Sequence, residues 1–190
     1  MANQGPQTSK GLRLTTDRLE LVAGTLELAR AEIGELPRFA GLLEVPLPKV
    51  WPPPLNDENS QRYFLAAMEE AQARPEDAGW HLWFCLRRQP RELVGGAGFK
   101  GVPQDGVVEI GYSMLEAHQR NGYCTEAVRA LIGWAFGHPE VKMVTGLTLP
   151  ELEPSIRVME KCGFVFAGNG PVEEGMETVR YELSRETFVP

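Results

Sequence analysis

Residues 106–136, GVVEIGYSMLEAHQRNGYCTEAVRALIGWAF, constrain the fold more than any other stretch of this chain. Val107 to Met114 mixes β-branched, aromatic and apolar residues with polar ones at alternate positions, the pattern of a half-buried strand. Gln119 to Cys124 follows as a turn, after which Val128, Leu131, Ile132 and Ala135 recur at helical spacing on one face. Gly137 and Pro139 close the segment, as a glycine at a helix end and a proline beyond it do. A helix start leaves up to four backbone N–H groups unpaired and carries a partial positive charge. Gly122 has no Cβ, so an anion can approach the backbone there, and Arg120 can add a charge-assisted contact. The strand–turn–helix therefore predicts a diphosphate site at the start of the helix.

These residues resemble a known family. Q-R-N-G-Y-C-T-E-A is similar to the acyl-CoA signature of the GCN5-related N-acetyltransferases, Gln/Arg-x-x-Gly-x-Gly/Ala. The wider E-I-G-Y-S-M and G-Y-C-T-E-A-V-R-A-L, with the later P-S-I-R-V-M-E-K-C-G-F, resemble the RimJ/RimL-type branch that acetylates ribosomal-protein N-termini. The opening L-T-T-D-R-L-E-L matches that branch's L-x-T-x-R-L-x-L, and the likeness covers residues 11–183. It implies an α+β acyl-CoA N-acyltransferase fold, with a central, mostly antiparallel mixed sheet flanked by helices on both faces. It also implies acetyl-CoA as cosubstrate and an amine acceptor, either a peptide N-terminus or a small molecule, in a monomer or homodimer.

Composition agrees with such a protein and excludes others. A chain of 190 residues suits one domain, expected here over residues 11–190 after a polar, frayed stretch at 1–10. The net charge of −7 argues against non-specific nucleic-acid binding. Cys85, Cys124 and Cys162 are isolated, with neither a C-x-x-C pair nor metal-ligand spacing, so no metal is expected and a reducing, cytoplasmic compartment is. No apolar run is long enough to span a bilayer, and the first residues carry no apolar signal core.

Along the chain, residues 12–22 alternate as one strand or a strand broken by a turn, and Thr25 caps a helix carrying Leu26, Leu28, Ala29 and Ile33. Gly34 and Pro37 interrupt that helix. Five prolines in residues 45–55 exclude regular structure. A helix of about 15 residues follows, with Tyr63, Phe64, Ala67, Met68 and Ala71 near one face. Strands are predicted over 79–86 and 92–100, the glycines of the second marking a bulge or a close backbone approach. No G-K-S/T follows them, which rejects a phosphate loop. Residues 142–148, 164–167 and 178–183 read as further strands, with a short helix over 154–162.

The resemblance assigns roles residue by residue. Backbone groups near Met114 and Leu115 would bind the pantetheine arm, and amides of Gln119, Arg120, Asn121, Gly122, Tyr123, Cys124 and Thr125 the diphosphate. Cys124 departs from the usual Gly or Ala: it is either a small filler or a thiol activated by the helix N-terminus. Glu109, the carboxylate of the central strand, is a candidate base through water or else a solvated residue; alternation puts it on the side of Gly111 and Ser113. Ser155 is a candidate donor to the departing sulfur or else a helix N-terminal residue. Leu152 stands where many relatives carry an asparagine, which removes a polar contact to the arm. Trp51 is an acceptor-wall candidate or a lid on the core, and His81 faces the acceptor or is a core histidine. His118 lies beside the turn and His138 is remote; no hydrolytic triad is supported. A CoA-binding module without catalysis is the alternative reading. A different nucleotide-binding domain lacks both the Rossmann and the Walker fingerprints.

Overall fold

The computed structural model describes residues 11–189 except 55, 72 and 174; the predicted frayed stretch at 1–10 lies outside the described residues. Residues 12–22 form two short strands, β1 (Arg13–Thr15) and β2 (Leu19–Ala23), joined as a hairpin by Thr16, Asp17 and Arg18. Thr25 caps α1 (Leu26–Gly34), its hydroxyl accepting from Leu28 N–H. The break at Gly34 is followed by a second helix, α2 (Leu36–Leu43), which the sequence reading did not anticipate. Pro37 sits in its first turn, where a missing N–H costs nothing, so the residue read as a breaker is here a starter. Then come α3 (Glu58–Ala71), β3 (Leu82–Arg88), β4 (Arg91–Phe99), β5 (Val107–Met114), α4 (Tyr123–Phe136), β6 (Met143–Thr148), α5 (Glu153–Lys161), β7 (Val165–Asn169) and β8 (Val179–Ser184).

The strands make one eight-stranded sheet in the order β1-β2-β3-β4-β5-β6-β8-β7, antiparallel throughout except for the β5–β6 pair. Its two faces each carry a core. On one, Leu21, Trp83, Cys85 and Ile110 pack against Ala127, Leu131 and Ala135 of α4 and Met159 of α5. On the other, Val22, Phe84 and Leu86 pack against Leu28, Phe39, Leu43 and Phe64 of α1, α2 and α3. Each such aliphatic or aromatic side chain contributes about 1.5–3 kcal/mol when fully buried. The helices thus lie on both faces, as the element order implied.

Both readings of the β4 glycines occur together. Cys85 pairs with Gly95 and Leu86 with Leu93, so Val94 is an extra residue, a bulge, and its carbonyl turns to accept from Leu115 N–H at 2.9 Å. At Gly98 a Cβ would lie 2.2 Å from the His81 carbonyl oxygen, too close for any side chain.

Candidate active site

Strand β5 is treated differently by its two neighbours. It pairs with β4 over Ile110 to Met114, but with β6 only at Val107, Val108 and Glu109. Beyond Glu109 the parallel strands have no further pairing, and a cavity of about 820 Å³ lies there, lined by Ile110, Gly111, Tyr112 and Ser113 on β5 and by Leu147 and Thr148 on β6. Leu152, Ser155 and Met159 of the α5 region also line it. Tyr112 Oη donates to the Ser155 carbonyl at 3.0 Å and lies 3.1 Å from Ser155 Oγ, joining β5 to α5. Burial pushes the Tyr112 phenol well above its usual range, so it stays protonated. Ser155 is not the helix cap: Leu152 is, and its side chain makes no capping bond. The Ser155 hydroxyl is therefore free of the duty that its alternative reading gave it.

The turn before α4 is built around a left-handed glycine. Gly122 is the cap residue, with φ +79°, and no side chain caps the helix, so the first amides of α4 are left without a side-chain partner. Arg120 also sits in the left-handed region, at φ +61°. The Asn121 amide folds back to donate to the carbonyls of His118 at 3.2 Å and Gln119 at 3.0 Å. At the two positions expected to meet the pantetheine arm, Leu115 N–H donates to the Val94 carbonyl at 2.9 Å, and the Met114 carbonyl accepts from Gln119 Nε2 at 3.2 Å. Leu115 N–H is thus unavailable to a ligand, because the Val94 bulge reaches it first.

A brace that the sequence reading missed fixes this turn. Glu126, in the first turn of α4, accepts from Thr16 Oγ1 at 2.6 Å, from Arg18 N–H at 2.9 Å and from Arg18 Nε at 2.7 Å. Arg18 also donates to the Asn121 carbonyl at 2.9 Å and lies over the Tyr123 ring at 4.8 Å. Burial would raise the Glu126 pKa, but the hydrogen bonds from Thr16 and Arg18 and the Arg18 charge prevail and lower it. An acidic residue in a helix first turn beside the R of T-T-D-R-L was the available signal.

The remaining wall comes from the other face of the sheet. Trp51, Phe64, His81 and Leu82 line the cavity with Lys100 and Glu173. Trp51 packs on the core, its ring 5.6 Å from Phe39 and 6.2 Å from Phe84, and it also borders the cavity. Its Nε1 donates to the buried Glu32 at 2.9 Å, and Asn56 donates to the same oxygen at 3.2 Å. Tyr63, grouped in sequence with the core face of its helix, is 64% exposed and lines the cavity. His81 is half-buried, and desolvation lowers its pKa, so it is neutral at neutral pH. Glu109 is half-buried but does not line the cavity among the described residues. Its carboxylate is 2.5 Å from Lys100 Nζ, which Glu173 also approaches at 3.6 Å. Desolvation would lower the Lys100 pKa, but the hydrogen bond and charge of Glu109 outweigh it and raise it. Gly111 and Ser113 border the cavity while Glu109 bonds sideways to the loop after β4.

Burial keeps the three thiols protonated. Burial pushes the Cys124 thiol far above its usual value, Cys85 up to about 12 and Cys162 up to about 11. Desolvation outweighs the helix N-terminus at Cys124, which packs against the α4 core as a small filler. Among the described residues no cluster of three His, Cys, Asp or Glu side chains could hold a metal ion, and no helix is long and apolar enough to cross a membrane.

The Acetyltransferase (GNAT) domain family matches residues 26–165. The chain belongs to the GNAT acetyltransferase family. It is 36% identical over 88 residues to an uncharacterised N-acetyltransferase, YjdG of Bacillus subtilis (strain 168), covering 46% of this chain and 52% of that protein. The chain thus spans about half the length of this curated relative. Two solved structures share the GNAT fold. The ribosomal-protein-S5-alanine acetyltransferase of Vibrio fischeri gives a TM-score of 0.66 at 15% identity, covering 94% of this chain and 100% of that one. RimL, the ribosomal L7/L12 alpha-N-protein acetyltransferase solved with coenzyme A, gives 0.64 at 15%, covering 90% and 96%. The GNAT fold expected from the two signatures is thus the observed one.

Proposed function

We propose that this protein transfers the acetyl group of acetyl-CoA directly to a primary amine. The observation that carries the reading is the parting of β5 from β6 after Glu109, with Tyr112 and Ser155 facing one cavity beyond it. The uncapped α4 N-terminus and the left-handed Gly122 fit the cosubstrate's diphosphate. Acetyl-CoA supplies an activated thioester. The amine nitrogen attacks its carbonyl carbon, the C–N bond forms, the C–S bond breaks, and one proton leaves the nitrogen while one ends on the sulfur.

The chain's part in this is positional and electrostatic. Ser155 and Tyr112 share hydrogen bonds, and either can turn an O–H toward the developing thiolate. Neither is acidic enough to give its proton outright, so their contribution is charge stabilisation. His81 is the better-placed proton acceptor, because it borders the cavity and is neutral at neutral pH. Glu109, held by Lys100, is the second candidate. That same ion pair favours the competing reading, a CoA-binding module without catalysis. A cytoplasmic location suits the three reduced, buried or half-buried thiols.

Calorimetric titration with acetyl-CoA, with NAD and ATP as controls, followed by thiol release against a panel of amines, tests the reading. Binding of acetyl-CoA with turnover of an amine supports the enzyme. Binding without turnover of any amine or peptide supports the module. Absence of binding removes both.

A further inference from the structure

The acceptor side of the cavity has a definite chemistry. Trp51, Tyr63, Phe64 and Leu82 present aromatic and aliphatic surface, and Leu152 adds an apolar group at the α5 cap. Charged groups are few and are arranged against an anion. Among the described residues, Lys100 is the one cationic side chain that lines the cavity, and Glu109 and Glu173 flank its ammonium at 2.5 Å and 3.6 Å. His81 is neutral. A carboxylate entering this space meets no free positive charge and faces Glu173; an apolar group meets surface ready to exclude water.

The wall is also fixed in place. Glu32 is 3% exposed, and one of its oxygens accepts from both Trp51 Nε1 and Asn56 Nδ2. Desolvation raises its pKa, the signature of a carboxyl held out of water. A buried carboxyl is costly unless its partners need it. Here those partners are two cavity-lining residues on a proline-rich segment without regular structure of its own. Phe39 and Phe84 back the indole. Trp51 is thereby a preset surface, which lowers the ordering cost of packing a ring against it.

On the reading of the site given above, we propose that the acceptor is a primary amine with an aromatic group a few bonds from the nitrogen and no carboxylate, the ring packing on Trp51, with Glu32 as the residue that positions that indole. A free arylalkylamine and a peptide beginning with an aromatic residue both present this chemistry. The cavity of about 820 Å³ has to admit the acyl-bearing arm as well, which suits a single ring rather than a larger body.

The test uses the full chain. Acetyl-CoA binding is first measured by calorimetry. Thiol release at fixed acetyl-CoA then compares phenylethylamine, a short C-terminally amidated peptide beginning with Phe, butylamine and free phenylalanine. The kcat/KM for phenylethylamine or for the peptide is expected to exceed that for butylamine and for phenylalanine by about tenfold or more, since burying a ring supplies that much discrimination. Whichever aromatic arm leads identifies the source. Calorimetric binding of phenylethylamine to the CoA-loaded protein, with no matching heat from phenylalanine, is the readout independent of turnover. Trp51→Ala is expected to bring the phenylethylamine-to-butylamine ratio close to one. Glu32→Gln keeps an oxygen acceptor and is expected to preserve the ratio, whereas Glu32→Leu reduces it through KM rather than kcat. Equal or better use of phenylalanine or butylamine overturns the acceptor class, as does acetyl-CoA binding with neither turnover nor binding of the aromatic amines. Failure of acetyl-CoA to bind overturns the site reading itself.

Discussion

Gly98 and Gly111 are opposite one another on β4 and β5, and they are glycines for different reasons. At Gly98 a Cβ would lie 2.2 Å from the His81 carbonyl oxygen and 2.8 Å from Leu82 Cα, both backbone atoms. At Gly111 an added Cβ would meet nothing within 4 Å, and the residue lines the cavity. One glycine lets β4 close on the start of β3; the other keeps empty the space where β5 has parted from β6. The pair separates what holds the sheet from what the sheet leaves open, a distinction invisible in the fact that both are glycine.

Valine at the two positions should break the comparison in opposite directions. Gly98→Val forces β3 and β4 apart and is expected to cost at least about 3 kcal/mol, read as a large loss in denaturant midpoint or as failure to fold. Gly111→Val is expected to keep stability within about 1 kcal/mol, because valine suits a strand and its Cβ would meet nothing within 4 Å. Its acetyl-transfer rate should fall about 100-fold or more, with the side chain occupying the cavity. A stable Gly98→Val or a fully active Gly111→Val would show that the space is not divided as described.

The next contrast is between the two hydroxyls that span the opening. On the proposed mechanism Ser155→Ala removes a donor to the developing thiolate, and the expected loss is about 10- to 100-fold in kcat with acetyl-CoA affinity unchanged. Tyr112→Phe leaves the Ser155 hydroxyl in place and should cost less, about tenfold. Reversal of that order in steady-state kinetics would make the phenol the principal donor. The proton acceptor is probed by the acid limb of kcat/KM. If His81 is the acceptor, as proposed, its lowered pKa means that activity should fall as pH drops through a value below 6.5 and the imidazole becomes protonated. His81→Gln should remove that limb. Its persistence in this variant, with loss in Glu109→Gln, would return the role to the carboxylate.

What the sequence disclosed follows the same division between closed and open. The β5–turn–α4 unit was legible because its requirements are local: alternation for the strand, a residue without Cβ at a left-handed cap, and helical spacing for the core face. Contacts set by where strands part were not. Tyr112 and Ser155 are 43 residues apart, and nothing in either neighbourhood announces the other. Alternation placed Glu109 with Gly111 and Ser113, but Lys100 follows β4 directly and draws the carboxylate aside. In α1 the apolar pattern favoured Ile33 for the core, yet Ile33 is 41% exposed and Glu32 is buried, because the proline-rich segment brings Trp51 and Asn56 to it. Helical periodicity carries no information about a polar residue whose partners lie in an irregular loop.

The smallest expected effect concerns the brace between the β1–β2 hairpin and α4, on the closed side of the molecule. Its Glu126 has a depressed pKa, so the folded state favours the ionised carboxylate. The stability this gives is present above the unfolded value, about 4.3, and is lost as pH falls through the lower folded value. Glu20 behaves in the same sense: desolvation opposes the shift, but the hydrogen bonds and charges of Arg13 and Arg91 overcome it. Unfolding followed by denaturant between pH 6 and pH 3 should show a decline that begins near pH 4. In Glu126→Gln that decline should be shallower and the neutral-pH midpoint slightly lower. Because Glu126 also holds the turn at Asn121 through Arg18, the same variant should weaken acetyl-CoA binding by several-fold while the Ser155 and Tyr112 contacts persist. Weaker binding with unchanged kcat would show that the closed side presets the anion cradle and takes no part in the chemistry at the opening. Unchanged binding would show that Gly122 and the α4 amides hold their geometry without the brace.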